Sequence, residues 1–142
     1  MSVNSNVDVI NIMEIIECVE NFAREYDLFK AHDKLLIACS GGPDSMALVD
    51  IFQKLSVKYK LEIIVAHAEH GIRKESSLND AWYVKNYCEQ KNIPFFMEHL
   101  NVLEHLKTEK LSVETLARKL RYQFLRKIAK AQNATKIVTA HH

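Results

Sequence analysis

Four short apolar runs, separated by stretches of helical period, constrain the fold of this chain more than anything else in it. The runs are Lys34 to Ser40 (KLLIACS), Leu61 to His67 (LEIIVAH), Ile93 to Leu100 (IPFFMEHL) and Thr135 to Ala140. They are largely apolar at consecutive rather than alternate positions, which suits strands buried on both faces. Between them apolar residues recur every three or four. Asp44 to Tyr59 turns Met46, Leu48, Val49, Phe52 and Leu55 to one side. A second helix is expected from a capping box at Ser77-Leu78-Asn79-Asp80 to about Asn92, and a third from a Ser112 cap through Val113 to Gln132. A leading amphipathic helix is expected from Ile12 to Phe29. Strands alternating with helices of this length are joined by right-handed βαβ crossovers. The expected fold is therefore α/β: a parallel, Rossmann-like sheet with helices on both faces.

A chain of 142 residues suits one domain, with a leading helix in residues 1–30 and the βα core in 34–142. Hydrophobic residues make up 48% and charged residues 26%, the balance of a globular protein rather than a disordered one. Nineteen Lys and Arg stand against 18 Asp and Glu, so a nucleic-acid partner would need a local basic face. Cys18, Cys39 and Cys88 are odd in number and widely spaced, and are read as reduced thiols that pack as small hydrophobes. Trp82, Tyr83 and Tyr87, on the helix after the second run, are assigned to packing. No cationic leader precedes an apolar run, and no stretch approaches the ~20 apolar residues of a bilayer span. The expected location is cytoplasmic, with no membrane partner.

Ligands of open parallel sheets bind outside the carboxyl ends of the strands. That rule directs attention to Ser40, to His67 through Gly71, and to His141 and His142, each of which follows an apolar run. Ser40-Gly41-Gly42-Pro43-Asp44-Ser45 stands between a strand and a helix. Its glycines let backbone N–H groups approach an anion, and the helix N-terminus adds partial positive charge. The Ser40 and Ser45 hydroxyls can donate to phosphate oxygens. A carboxylate at Asp44 would repel phosphate unless Mg2+ bridges them or backbone amides hold it, and the metal is the expectation here. Gly, Pro and Asp also fill ordinary turns, but a turn needs no buried strand on one side and helix on the other. The chain has neither G-x-x-x-x-G-K-[ST] nor G-x-G-x-x-G. Arg118 and Arg121, three apart on one helix, can reach a common polyanion. A zinc site among His67, His70, His141 and His142 is disfavoured. The HxxH lies at a strand end, and no cysteine or carboxylate completes a zinc spacing.

SGGPDS resembles the SGGxDS signature of the PP-loop ATP pyrophosphatases. That resemblance implies cleavage of ATP between its α and β phosphates, with transient adenylation of a substrate oxygen. Within the superfamily, Ala66 to Arg73 followed by Glu75-Ser76 is similar to the H-V-[ND]-H-G-[IL]-R segment of the lysidine synthases, from which Ala68 and Glu69 depart. Ser112 to Tyr122 is similar to their N-L-E-x-x-A-R-x-x-R-Y helix, and Thr139 to His142 to the start of [TG]-[AG]-H-H-x-D-D-Q. The four matches run in order from Ser40 to His142.

The resemblance implies a ligase that converts the wobble cytidine of tRNA(Ile), with its CAU anticodon, to lysidine, using ATP, Mg2+ and free lysine. It places Ser40, Gly41, Gly42, Pro43, Asp44 and Ser45 on the phosphates, with Asp44 on the metal. Arg121 and His141 fall at the transferring centre, and Arg118, His67 and His70 around ATP. The family's Asp-Asp-Gln and its tRNA-binding parts would follow His142, so a truncated, inactive catalytic domain is expected. Alternatives are an ATP-Mg2+ binding module without turnover and a tRNA thiolase of the same superfamily, some members of which use paired cysteines. The role of Glu69 and the oligomeric state are left open.

Overall fold

The computed structural model describes residues 8–11, 30–69 and 74–140. The elements in chain order are β1 (Asp8–Asn11), β2 (Lys34–Ala38), α1 (Pro43–Tyr59), β3 (Glu62–Glu69), α2 (Lys74–Gln90), β4 (Phe95–His99), α3 (Val102–His105), α4 (Val113–Ala131) and β5 (Lys136–Thr139). The strands form one parallel sheet in the order β1-β5-β2-β3-β4.

The period-2 geometry of a strand divides β2 between two cores. Leu35 and Ile37 join Leu48, Val49 and Phe52 of α1 and Val84 and Cys88 of α2 on one face. Leu36 and Ala38 join Val102 of α3 and Leu116, Phe124, Leu125 and Ala129 of α4 on the other. Each large aliphatic or aromatic side chain so buried contributes roughly 1.5–3 kcal/mol. From β2 the chain winds outward to β3 and β4, then returns past β2 to β5. A right-handed crossover made in the opposite direction lands on the opposite face, which is why α4 faces away from α1 and α2. The direction of winding reverses between β2 and β5, and the crevice this opens lies at their carboxyl ends.

Four parallel strands with helices on both faces match the expected architecture, and a fifth strand is added. Asp8–Asn11, expected to belong to a helical leader, forms β1 and pairs with β5 at the sheet edge, Val9 opposite Ile137. Four residues reading DVIN are too few to show a period, so the pairing comes from the exposed edge of β5 rather than from local pattern. The helix expected over Ile12–Phe29 lies outside the described residues.

Ser112 caps α4 as its sequence suggests, accepting the Thr115 amide at 3.1 Å. Helix α2 instead begins at Lys74, so Ser77 falls inside the helix and not at its cap. The segment between β4 and α4 holds the single turn α3, entered through Asn101 in the left-handed region, φ 54°. Trp82 and Tyr83 are not packed: they are 60% and 57% exposed. Helix α2 turns Ala81, Val84 and Cys88 inward, and this phase throws the two aromatics outward. Tyr87 does pack against the core, and its hydroxyl donates to Asp50.

Cys39 and Cys88 are free and buried, and burial raises both thiol pKa values, that of Cys88 to about 12. Cys18 lies outside the described residues. No described helix is long and apolar enough to cross a membrane.

Candidate phosphate-binding site

Strand β2 ends at Ala38, and the Cys39 amide still reaches the Ala66 carbonyl of β3 at 2.9 Å. The chain then turns through Ser40-Gly41-Gly42 into α1. Gly42 is the N-cap residue, with its carbonyl accepting the Met46 amide at 3.0 Å. Pro43 opens the helix, where its missing N–H leaves nothing unpaired. The two glycines differ in role. Gly41 has φ +91°, and a Cβ there would lie 3.0 Å from Cβ of Asp80 and 3.4 Å from its carbonyl oxygen. At Gly42 a Cβ would meet only Ser40 Oγ, at an ordinary 3.6 Å. Gly41 is demanded by backbone shape and the press of α2, whereas Gly42 leaves open space above the amides.

Ser45 is buried under this loop and organises it. Its Oγ accepts from the Ser40 amide at 3.1 Å and the Gly41 amide at 3.2 Å, and donates to the Gly42 carbonyl at 3.1 Å. Ser40 Oγ stands 3.0 Å away. A hydroxyl has two lone pairs and one proton, so these groups already occupy it fully. The Ser45 hydroxyl thus holds the loop amides in convergence, while Ser40 is exposed at the rim. Asp44 is exposed in the first turn of α1, where a carboxylate is stabilised by the N-terminal end of the helix dipole.

His67, near the carboxyl end of β3, is buried, and its Nδ1 donates to the Cys39 carbonyl at 2.8 Å. A carbonyl only accepts, so Nδ1 carries the proton, and in the neutral ring Nε2 is the acceptor. Two residues on, the buried Glu69 carboxylate accepts from Nδ1 of His99 on β4 at 2.7 Å. Glu69 thereby links the carboxyl ends of β3 and β4. His70, Arg73, His141 and His142 lie outside the described residues.

Helix α4 brings the arginines from the opposite face. Lys127 pairs with Glu98, and Leu120, Gln123, Phe124 and Lys127 line a groove with Glu98 and His99. The middle of α4 therefore lies beside the carboxyl end of β4, and Val113–Leu120 leads up to it with Leu116 buried in the sheet-side core. Arg121 stands four residues after Ala117 and four before Leu125, both of which pack against the sheet-side core. Its guanidinium is half-buried, and burial, with a smaller contribution from the Arg118 charge, lowers its pKa against the opposing effect of Tyr122. No carboxylate pairs with it among the described residues. Arg118 is exposed and belongs to the outer side of α4.

The structure thus gathers Ser40 to Ser45 and His67 at the carboxyl end of the sheet, half-buries Arg121 on α4 beside the sheet-side core, and turns Arg118 outward. Two participants had no local signal. Asp80 backs Gly41 only because α2 packs there, and His99 becomes the partner of Glu69 only through the β3–β4 register.

Among known proteins, a family model described as PP-loop domain matches residues 12–142. The tRNA(Ile)-lysidine synthase of Petrotoga mobilis is 41% identical over 121 residues, which cover 85% of this chain and 39% of that protein. The tRNA(Ile)-lysidine synthase of Thermosipho africanus is 42% identical over 118 residues, 83% of this chain and 27% of that protein. The chain therefore spans well under half the length of these relatives. In fold it is similar to the U34-tRNA thiolase NcsA of Methanococcus maripaludis, with TM-score 0.72 and 16% identity over 89% of this chain and 46% of that one. A match that runs through every described element from β2 onward, on a sheet whose switch point carries Ser40 to Ser45, establishes that this chain belongs to the PP-loop domain family, whose members use ATP.

Proposed function

We propose that this chain is the ATP-activating part of a tRNA(Ile)-lysidine synthase. The observation that carries the reading is the Ser40–Ser45 loop, whose amides converge on a buried serine at the switch point of the sheet. The identity to proteins of that name over more than four fifths of the chain supports the choice within the family.

In this reading the pyrophosphate moiety of ATP lies over Gly42 and the first turn of α1. The amides of the first turn of α1 and the Ser40 hydroxyl donate to it, while Ser45 fixes the shape of the loop by accepting the Ser40 and Gly41 amides. The open space above Gly42 fits such a ligand, since a side chain larger than hydrogen would fill it. Asp44 would hold Mg2+, which neutralises charge on the departing pyrophosphate. Mg2+ held by one carboxylate would be completed by substrate phosphates. Arg121 presents a planar fork to the α-phosphate of the transferring adenylyl group, and its burial strengthens that interaction. His67 keeps the end of β3 in register with the loop, His70 is assigned around ATP and His141 to the transferring centre, whereas Arg118 faces outward from α4.

The chemistry has two displacements. The C2 oxygen of the wobble cytidine attacks the α-phosphorus, and the bond to pyrophosphate breaks. The amine of lysine then attacks C2, the C–O bond breaks to release AMP, and the nitrogen loses a proton. An amide-like oxygen is a poor leaving group until it is esterified with AMP, which is why ATP is consumed. A tRNA substrate places this activity in the cytoplasm.

The thiolase alternative rests on a shared fold, and Cys39 and Cys88 lie in surroundings that disfavour thiolate. Incubation of the full-length protein with ATP, lysine and unmodified CAU-anticodon tRNA should release one AMP and one pyrophosphate per lysine incorporated. Release of ADP instead would remove the reading. ATP binding by the 142-residue chain without AMP formation is the result expected of a nucleotide module lacking the rest of the enzyme.

A further inference from the structure

The outer side of α4 concentrates charge that no other described residue neutralises. Arg118, Tyr122 and Arg126 recur every four residues and so form a line ~12 Å long at ~1.5 Å per residue. With Thr115, Lys119 and Gln123 they line an open groove of about 610 Å³. The guanidinium carbons of Arg118, Arg121 and Arg126 lie 5.3, 5.5 and 5.5 Å from the centre of the Tyr122 ring. These distances fall inside the ~6 Å reach of a cation–π interaction. Tyr122 packs against the core beneath, so the ring is a fixed post around which three cations are ordered.

The lysines of the same surface are neutralised locally: Lys119 pairs with Glu109 at 2.6 Å, and Lys127 pairs with Glu98. The arginines are not: among the described residues none of the three meets a carboxylate. Like charges crowded around one ring repel one another, and an anion laid across them relieves that repulsion. Overall charge is close to zero, so this face stands out against a balanced background.

Location selects among anions. Leu120 of α4 lines a groove with His99 at the carboxyl end of β4, and the stripe runs from that level along the outer side of the helix. A small substrate would be enclosed by the crevice itself. A polynucleotide with one base in the crevice must lay its neighbouring phosphates on adjoining surface.

We propose that the Arg118–Tyr122–Arg126 stripe is a docking surface for the phosphodiester backbone of the RNA substrate, taking phosphates that flank the reacting nucleotide. This rests on the tRNA reading above. Arginine suits the task because its fork meets two phosphate oxygens at once, and its ordering on Tyr122 reduces the entropy lost on binding. Arg121 is turned toward the sheet and belongs to the nucleotide. Arg126 lies more than a turn further from the crevice and touches RNA alone.

The test is the binding of fluorescent, unmodified CAU-anticodon tRNA to the 142-residue chain across about 50 to 200 mM salt, with ATP affinity measured in parallel. The wild-type chain should bind with an affinity that falls steeply as salt rises. Arg126→Ala should weaken tRNA binding about tenfold, lower the salt slope by roughly 0.7–0.9, and leave ATP affinity unchanged. Arg126→Glu should weaken it further. Tyr122→Leu keeps an apolar contact with the core and should also weaken tRNA binding; because it could also perturb folding, the variants at Arg126, which is outside the core, decide the matter. Wild-type binding that is absent or salt-independent, or Arg126→Glu binding equal to wild type, overturns the proposal. So does a change confined to self-association, or to docking of other parts of the polypeptide, with tRNA affinity intact. Salt-sensitive, Arg126-dependent tRNA binding by a full-length protein that makes no AMP would instead sink the activity and leave the surface standing.

Discussion

His67 Nδ1 donates a 2.8 Å hydrogen bond to the carbonyl of Cys39, joining the carboxyl end of β3 to the residue that launches the phosphate loop. Both residues are buried, so neither group has water as a substitute partner. In His67→Ala the Cys39 carbonyl loses its donor in a dry place, at a cost of about 1–3 kcal/mol. Urea unfolding should show that loss, and ATP affinity should fall with it because the loop is anchored at this point. An unchanged unfolding midpoint would mean that the bond does not hold the two strand ends together.

Gly41→Ala tests the loop from its other side. A side chain at φ +91° is strained by about 1–3 kcal/mol, and its Cβ would stand 3.0 Å from Asp80 Cβ. The substitution should both destabilise the protein and remove nucleotide binding. Gly42→Ala meets only Ser40 Oγ at 3.6 Å and should keep stability while weakening ATP, since its methyl enters the space over the loop. Equal thermal stability of the two variants would contradict the distinction between the glycines.

Arg121→Met should raise stability while lowering nucleotide affinity. The side chain keeps much of its length and loses a charge that burial and Arg118 both disfavour. Thermal unfolding and calorimetric titration with ATP would give opposite signs for the two effects. A destabilised variant would show that stacking on Tyr122 outweighs the cost of burial.

Stability should fall in alkaline solution through Cys88. Its folded pKa is pushed up to about 12 by burial, against an ordinary 9.0. Below pH 9.0 the thiol is protonated in both states and its contribution is complete. As pH rises from 9.0 toward 12 the unfolded chain ionises first, binds fewer protons than the folded one, and is favoured. Cys39, raised in the same direction, adds to the trend. Urea midpoints measured on either side of pH 9.0 should drop, and Cys88→Ala should drop less. Both thiols should also resist alkylation until the protein unfolds.

Much of this architecture was legible because it is written in short-range pattern. Buried strands show as consecutive apolar residues, and the inward face of α1 shows as a period near 3.6. The Ser112 cap lies three residues from the amide it accepts. β1 was hidden, since four residues hold no period and its pairing depends on the edge that β5 offers. The packing assigned to Trp82 and Tyr83 failed because composition does not state the phase of a helix against its sheet.

By itself the sequence determined the alternation of strands and helices, the position of a glycine loop where one strand gives way to a helix, and the family to which that loop belongs. Each of these is set by residues within a turn or two of one another. Only the tertiary structure decided that Asp80 presses on Gly41, that His67 reaches Cys39, and that Arg121 faces the sheet while Arg118 turns outward. Those relations join residues far apart in the chain, or depend on how Leu116 and Leu125 rotate α4 onto the core. A local pattern cannot carry them, because the energy that selects them is that of whole elements packing together.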